Sequence, residues 1–147
     1  MIEVTIKPLK EVRITKNKTV KIKGNEIYAG MHYAVRSKVS KTLKTYIYEH
    51  IRKLDFITVP IRLEINVYKP LGKWDLGNYC YLWAKCFEDS LTGNVLYDDE
   101  RKRFNHILYP PKIKDDNVNY IKEHRYIHHP IIGEEEERIV FVLQPIE

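Results

Sequence analysis

The stretch that decides the fold is VPIRLEINVYKP, which runs from Val59 to Pro70. Apolar and polar residues alternate along it: the apolar set is Ile61, Leu63, Ile65 and Val67, and the polar set is Arg62, Glu64 and Asn66. Successive side chains of a β-strand point to opposite faces of a sheet. This period of two therefore predicts a strand with one buried face.

Two helices and further strands are predicted on either side of this strand. A helix from Leu76 to Leu91 follows it, and Gly93 is the glycine expected beyond a helix end. A longer helix, from Met31 to Arg52, has apolar residues at helical spacing. The other predicted elements are a strand at Ile2 to Pro8, a β-hairpin at Glu11 to Gly24, a strand at Arg103 to Tyr109, a polar irregular segment at Lys112 to Gly133 with a short helical piece near Val118 to Glu123, and a last strand at Arg138 to Ile146.

The order of these elements predicts an α/β protein, more narrowly an α+β one, in which a small mixed β-sheet carries two main helices. Residues 1–147 contain no internal repeat or linker, so we expect a single domain. The chain has 25 Lys and Arg against 20 Asp and Glu, a net charge of +5. This excess is a modest argument for an anionic partner, but from net charge alone plain solubility is the slightly better explanation.

The sequence also indicates a compartment. Cys80 and Cys86 lie six residues apart in one predicted helix, a spacing that suits neither a zinc site nor a disulfide, so a reducing interior is expected. The N-terminus shows no signal peptide, and no apolar run approaches the roughly 20 residues that span a bilayer. We therefore expect a cytoplasmic protein with no membrane partner.

The helix from Leu76 to Leu91 has two chemically different sides. At about 100° per residue, Asn78, Leu82, Lys85 and Asp89 fall in the same sector as Asp75, opposite an apolar side that would pack on the sheet. One interpretation is a catalytic surface that presents acid, amide and lysine in a line. The other is a surface helix with one Lys85–Asp89 ion pair.

A pair of aspartates follows this helix. Asp98 and Asp99 come after a Thr-Gly-Asn turn and precede a basic run. Mg²⁺ takes oxygen ligands, usually one or two carboxylates with water and phosphate, and it can activate water for phosphodiester hydrolysis. The flanking Lys73, Arg101 and Arg103 would then hold neighbouring phosphates. An ordinary acidic turn is the alternative.

These residues resemble the RusA family of Holliday junction resolvases, which is found in bacteria and often encoded by prophages. The family motif is approximately Asp-x-Asp-Asn, a helical Lys, Asp-Ala-Leu, a glycine-containing loop and Asp-Asp. The same order is followed here by Asp75-Leu76-Gly77-Asn78, Lys85, Asp89-Ser90-Leu91, Thr92-Gly93 and Asp98-Asp99. The stretch from Asn25 to Arg36 is also similar to the family's early loop.

The resemblance implies a homodimeric, Mg²⁺-dependent endonuclease that cuts four-way junctions and other branched DNA in recombination and repair, with Mn²⁺ as a possible substitute. It implies that Asp75 and Asp99 bind the metal, that Lys85 stabilises the phosphate transition state or orients the attacking water, and that Asp89 is a metal ligand or orients Lys85. With Asp98 as a further ligand, the expected metal set is Asp75, Asp89, Asp98 and Asp99, and the expected catalytic set is Asp75, Lys85, Asp89 and Asp99. The residues expected to bind DNA are Lys73, Asn78, Arg101, Arg103, Arg36 and Lys38. No nucleotide cofactor is expected, because no phosphate-cradling glycine loop occurs.

Two departures from the family pattern affect these expectations. Gly77 stands where the family has its second motif aspartate, and Lys85 lies about one helical turn further along than usual. Either Asp89, Asp98 or Glu100 replaces the missing ligand, or the chain is a catalytically impaired DNA-binding relative. A protein-interaction module whose acids are only surface residues is a third reading.

The histidines and the basic residues are two further groups of candidates. At helical spacing His124 and His128 could bind a metal, with His129 beside them, but Pro130 and the loop-like composition argue against a rigid site. His106 is a weak candidate for acid–base work. Basic residues of the first helix and the hairpin could contact a DNA backbone or form a solvated face: Arg36, Lys38, Lys41, Lys44, Lys16, Lys18, Lys21 and Lys23.

Overall fold

The computed structural model describes residues 1–23, 32–93 and 109–146, together with the backbone of residues 97–98 and 103–104. Within these residues the chain forms, in order, β1 (Ile2–Ile6), β2 (Glu11–Thr15), β3 (Lys18–Lys21), α1 (Tyr33–Ile51), β4 (Ile61–Lys69), α2 (Leu76–Leu91), β5 (Tyr97–Asp98), β6 (Arg103–Phe104), β7 (Ile121–Pro130) and β8 (Arg138–Pro145). The mixture of a sheet with two main helices confirms the predicted fold class.

The central sheet has the strand order β1-β8-β4-β7. β4 is antiparallel to β8 and parallel to β7, so the sheet is mixed as expected. The alternation that predicted β4 is confirmed, since Ile61, Leu63, Ile65 and Val67 are all nearly inaccessible to solvent. Ile65 lies opposite Phe141 of β8, which in turn lies opposite Val4 of β1. One apolar face therefore runs across the three strands.

The two helices cover this apolar face and contact each other. Val39, Leu43, Ile47 and Ile51 of α1 are buried, as the helical spacing predicted, whereas Tyr33 of the same predicted stripe is exposed. Phe87 of α2 stacks on Phe141 of β8, with ring centroids 4.1 Å apart. From Leu82 onward α2 is buried except at Lys85, and α1 lies beside it with Lys44 in contact with Asp89 and Ser90.

The hairpin of β2 and β3 packs beside α1. Val12 and Ile14 are buried, and Lys38 of α1 donates a hydrogen bond to the carbonyl oxygen of Ile14. The hairpin is closed by the Ile22 amide, which donates to the Lys10 carbonyl at 2.8 Å. The predicted hairpin is thus confirmed.

One segment was predicted wrongly. Lys112 to Gly133 was expected to be irregular with a helical piece at Val118 to Glu123, whereas Ile121–Pro130 forms the edge strand β7. Its sequence, IKEHRYIHHP, carries polar residues on both faces, so it lacks the apolar alternation by which β4 was recognised. Pairing with β4 along its whole length is what makes this segment a strand.

Among the described residues, neither helix combines the length and the apolar character that crossing a bilayer requires. Cys80 and Cys86 are both buried free thiols of α2, and burial raises the pKa of each to about 12. Protonated, inaccessible thiols of this kind act as small apolar core residues.

Candidate functional site

Asp75 caps the N-terminus of α2. Its backbone is extended (φ −98°, ψ 121°), and its Oδ1 accepts a hydrogen bond from the Asn78 amide at 2.9 Å. A side-chain oxygen at this position satisfies one of the amides that a helix start leaves unpaired. The carboxylate is nevertheless exposed. Asp75 therefore combines a structural function with access to solvent.

The neighbouring residue Trp74 fixes the position of Asp75 through its ring contacts. The Trp74 indole donates from Nε1 to the Pro70 carbonyl at 2.9 Å. Its ring meets those of Tyr79 and His128 edge to face, with centroids 5.6 and 4.7 Å away. Lys69 Nζ lies 5.2 Å from the Tyr79 ring centroid. These contacts tie the start of α2 to the ends of β4 and β7.

Gly77 lies next to the Asp75 carboxylate. A Cβ atom placed on Gly77 would be 3.3 Å from Asp75 Oδ1. Any side chain at position 77 would therefore begin beside that carboxylate. The RusA family has an aspartate at this position. An aspartate here would place a second carboxylate beside that of Asp75.

Asp89 is at the other end of α2, in a cluster of charges. Its Oδ2 lies 3.1 Å from Lys44 Nζ of α1, and its Oδ1 lies 3.3 Å from Lys85 Nζ. Lys85 also approaches Asp116 at 3.6 Å. Asp89 is only 8% exposed. Burial acts against the charge of Lys85, but Asp89 and Asp116 outweigh it and raise the pKa of Lys85.

The structure separates these two ends. The rise of an α-helix places Lys85 about 15 Å and Asp89 about 21 Å along the axis from Asp75. Carboxylates that share one Mg²⁺ lie within about 4–5 Å of each other. Asp75 and Asp89 therefore cannot hold the same ion, and Lys85 cannot act on a phosphate bound at Asp75. The sequence-based grouping of these three residues in one site is wrong.

The second half of the predicted site lies largely outside the described residues. Asp99 and Arg101 are outside them, while Asp98 and Arg103 are described as backbone only, as partners between the antiparallel strands β5 and β6. Their assignments as metal ligands and DNA contacts stay predictions. Within residues 1–23, 32–93 and 109–146, no group of three or more His, Cys, Asp or Glu side chains could hold a metal ion.

The predicted DNA-binding residues of the described part fall in different places. Lys73 and Asn78 are exposed on either side of Asp75, as a phosphate-binding function there would need. Arg36 is half-buried in the first turn of α1, and Lys38 holds the hairpin through the Ile14 carbonyl. Of these four, Lys73 and Asn78 remain beside the candidate site.

The histidines of β7 have structural contacts. His124 Nε2 pairs with Glu88 of α2, and His128 Nε2 lies 2.7 Å from the Lys69 carbonyl oxygen. His129 Nε2 lies 2.7 Å from Asn66 Oδ1, on the opposite face. The helical spacing considered for His124 and His128 does not apply, because a strand places them about 13 Å apart.

Several residues of interest were missed by the sequence analysis. Asp116 belongs to the charge cluster at Asp89, and Lys10, Lys69 and Glu137 line a cavity with Lys21 and Lys23. No local pattern marks them, because they come from segments far apart in sequence. Only the hairpin lysines were noted, as part of a basic surface.

The chain matches no protein-family model and no curated protein. The resemblance to the RusA family therefore depends on the order of motif residues alone and stays a hypothesis.

Proposed function

We propose that this protein is a RusA-like, structure-selective endonuclease that cleaves Holliday junctions and other branched DNA by Mg²⁺-dependent hydrolysis, acting as a homodimer. The observation that supports this proposal is the exposed Asp75 carboxylate, held at the start of α2 between Lys73 and Asn78. It is the first acid of the motif whose later members include Asp98 and Asp99.

The distances within α2 revise the set of metal ligands. Among the described residues, Asp75 is the one motif carboxylate at the start of α2. A Mg²⁺ site usually contains one or two carboxylates. Asp75 together with Asp98 or Asp99 would give the one or two carboxylates that Mg²⁺ needs. Asp89 is not part of this set. The ion would supply Lewis-acid activation of water and of the phosphodiester. Lys73 would bind and orient the DNA phosphate beside Asp75.

A second candidate function is DNA binding without catalysis. Gly77 favours it, because its Cβ position is 3.3 Å from Asp75 Oδ1 and a glycine supplies no second carboxylate there. Losing one ligand weakens metal binding but leaves surface lysines able to contact phosphates. The two candidates differ in cleavage and agree in junction binding.

The test is cleavage of a labelled four-way junction with Mg²⁺ or Mn²⁺. We expect the wild type to nick it. Asp75→Asn and Asp99→Asn should lower the rate by more than about 100-fold, since changes beside metal ligands alone cost about 10- to 100-fold. Asp55→Asn is the matched control: it removes the same charge from an exposed aspartate that no motif includes, and it should leave the rate unchanged.

Gly77→Asp distinguishes the two candidates. If the wild type binds junctions in preference to linear duplex across a salt series but does not cut them, DNA binding without catalysis is supported. Gly77→Asp should then restore metal binding, measured by calorimetry. If the wild type neither cuts junctions nor prefers them to linear duplex, both candidates are refuted.

A further inference from the structure

A cavity of about 230 Å³ opens between the β2–β3 hairpin and the end of the central sheet. This is several times the space that one water molecule needs. Its charged and polar wall consists of Lys10, Lys21, Lys23, Lys69, Tyr79 and Glu137. Tyr79 lies one helical turn beyond Asp75, to whose carbonyl its amide donates at 3.0 Å.

The charges around the cavity are unbalanced. Glu137 Oε1 accepts a hydrogen bond from Lys69 Nζ at 2.9 Å, and Glu137 Oε2 lies 3.4 Å from Lys10 Nζ. Burial opposes the charged form of Glu137, but the two lysines outweigh it and hold the pKa of this carboxyl below its usual value. Among the described residues of the wall, Glu137 is the one carboxylate against four lysines. An excess of three positive charges remains.

The backbone frame that carries these lysines is well fixed. Ile22, between Lys21 and Lys23, is buried, and its amide donates to the Lys10 carbonyl at 2.8 Å. Lys69 is the last residue of β4 and lies over the Tyr79 ring. Four lysines from three separate segments therefore converge on one cavity without a rearrangement of the backbone.

We propose that this cavity binds a phosphate group. An ammonium group offers three donors and a compact charge, and lysine is a common ligand of phosphate for that reason. Lys21 and Lys23 are exposed and lie at the cavity, so they supply the attraction that Glu137 does not neutralise. The phosphate comes either from a nucleic-acid backbone or from a small phosphate compound. Neither source requires a metal ion, so the proposal is independent of nuclease activity.

The experiment is calorimetric titration in metal-free buffer, with inorganic pyrophosphate and with a 20-nucleotide single-stranded DNA as separate probes. The double variant Lys21→Gln/Lys23→Gln should weaken binding about tenfold, because two lysine contacts to phosphate are lost. The control is Lys16→Gln/Lys18→Gln, which makes the same charge change in the same hairpin, with Lys18 about 10 Å from Lys21 and about 16 Å from Lys23 along the strand direction. For a localised site this control should change the affinity for pyrophosphate less than about twofold.

A second measurement uses only the wild type. Addition of pyrophosphate should shift the amide NMR signals of Lys10, Ile22 and Tyr79 and leave those of Lys16 and Asn17 in place. This readout does not depend on whether a variant folds, and circular dichroism checks the folding of both double variants.

The outcomes separate the alternatives. If Lys21→Gln/Lys23→Gln weakens both probes, the phosphate belongs to a nucleic-acid backbone; if it weakens only pyrophosphate, the source is a small phosphate compound. Equal losses in the two double variants would show a diffuse charge effect and overturn the proposal. So would the absence of pyrophosphate binding at millimolar concentration. Failure of junction cleavage would leave these results unaffected.

Discussion

Asp89 is predicted to stabilise the protein by joining α1 to α2, and not to bind a metal. Its carboxylate lies 3.1 Å from Lys44 of α1 and 3.3 Å from Lys85 of its own helix. The Asp89 and Lys44 side chains are 11% and 19% exposed, whereas Lys85 is 45% exposed. The pair with Lys44 is thus the better shielded of the two.

Asp89→Asn removes the charge and keeps the shape. Breaking a fully buried ion pair costs about 3–5 kcal/mol, and an exposed pair is worth about 0–1 kcal/mol. The exposure of this cluster lies between these cases, so we expect a loss of about 2 kcal/mol in the free energy of unfolding. For a chain of this length that lowers Tm by about 6–8 °C and the urea midpoint by about 1 M.

The assay is urea denaturation of a double-mutant cycle that combines Asp89→Asn with Lys44→Met or with Lys85→Met. The coupling energy should be about 1–2 kcal/mol for Lys44 and about 0.3–0.5 kcal/mol for Lys85, whose i, i+4 pair is half exposed. The reasoning is refuted if Asp89→Asn leaves the urea midpoint unchanged but abolishes junction cleavage. Asp89 would then be a site residue, as the sequence first indicated.

Three further changes test other parts of the structure. Gly93 has φ +79°, and a Cβ there would lie 2.8 Å from the Tyr109 carbonyl oxygen, so Gly93→Ala should cost about 3 kcal/mol. Gly133→Ala, at φ +65° with nothing within 4 Å, should cost only about 1 kcal/mol of backbone strain, and equal losses in urea denaturation would contradict the difference. The hydrogen bond with Glu88 raises the pKa of His124 above 6.5 in spite of burial. The stability it adds is present below about pH 6.5 and is lost as pH rises through the folded pKa. The difference in unfolding free energy between wild type and His124→Gln should therefore be larger at about pH 5.5 than at about pH 9.

Local periodicity was sufficient for much of the fold. The alternation in β4 predicted which of its side chains would be buried, and the apolar stripe of α1 predicted its core face. The predicted bounds of α2, Leu76 to Leu91, agree with the structure, because a capping aspartate and a following glycine mark its ends. These features depend on neighbours within one or two turns, which a sequence displays directly.

The edge strand β7 could not be recognised in this way. A strand covered by a helix on one face and paired along one edge can carry polar residues on both faces. His124 satisfies its polar nitrogen through Glu88 of α2, and His129 through Asn66 of β4. Hydrogen bonds with residues distant in sequence therefore stabilise β7, whereas the burial of alternate apolar side chains stabilises β4.

The candidate site shows the same division. The sequence by itself determined that Asp75, Lys85 and Asp89 share a side of α2, because a helix repeats its direction at regular spacing. The rise of the helix separates them along its axis, and only the tertiary structure decided what each of them contacts. A view down the helix axis compares only the directions of side chains, so it does not show the axial distance of about 21 Å between Asp75 and Asp89. The packing of α1 then pairs Asp89 with Lys44 and leaves Asp75 exposed at the helix start. The lysines of the cavity meet for a related reason, because the Ile22 amide donates to the Lys10 carbonyl and Glu137 pairs with both Lys10 and Lys69.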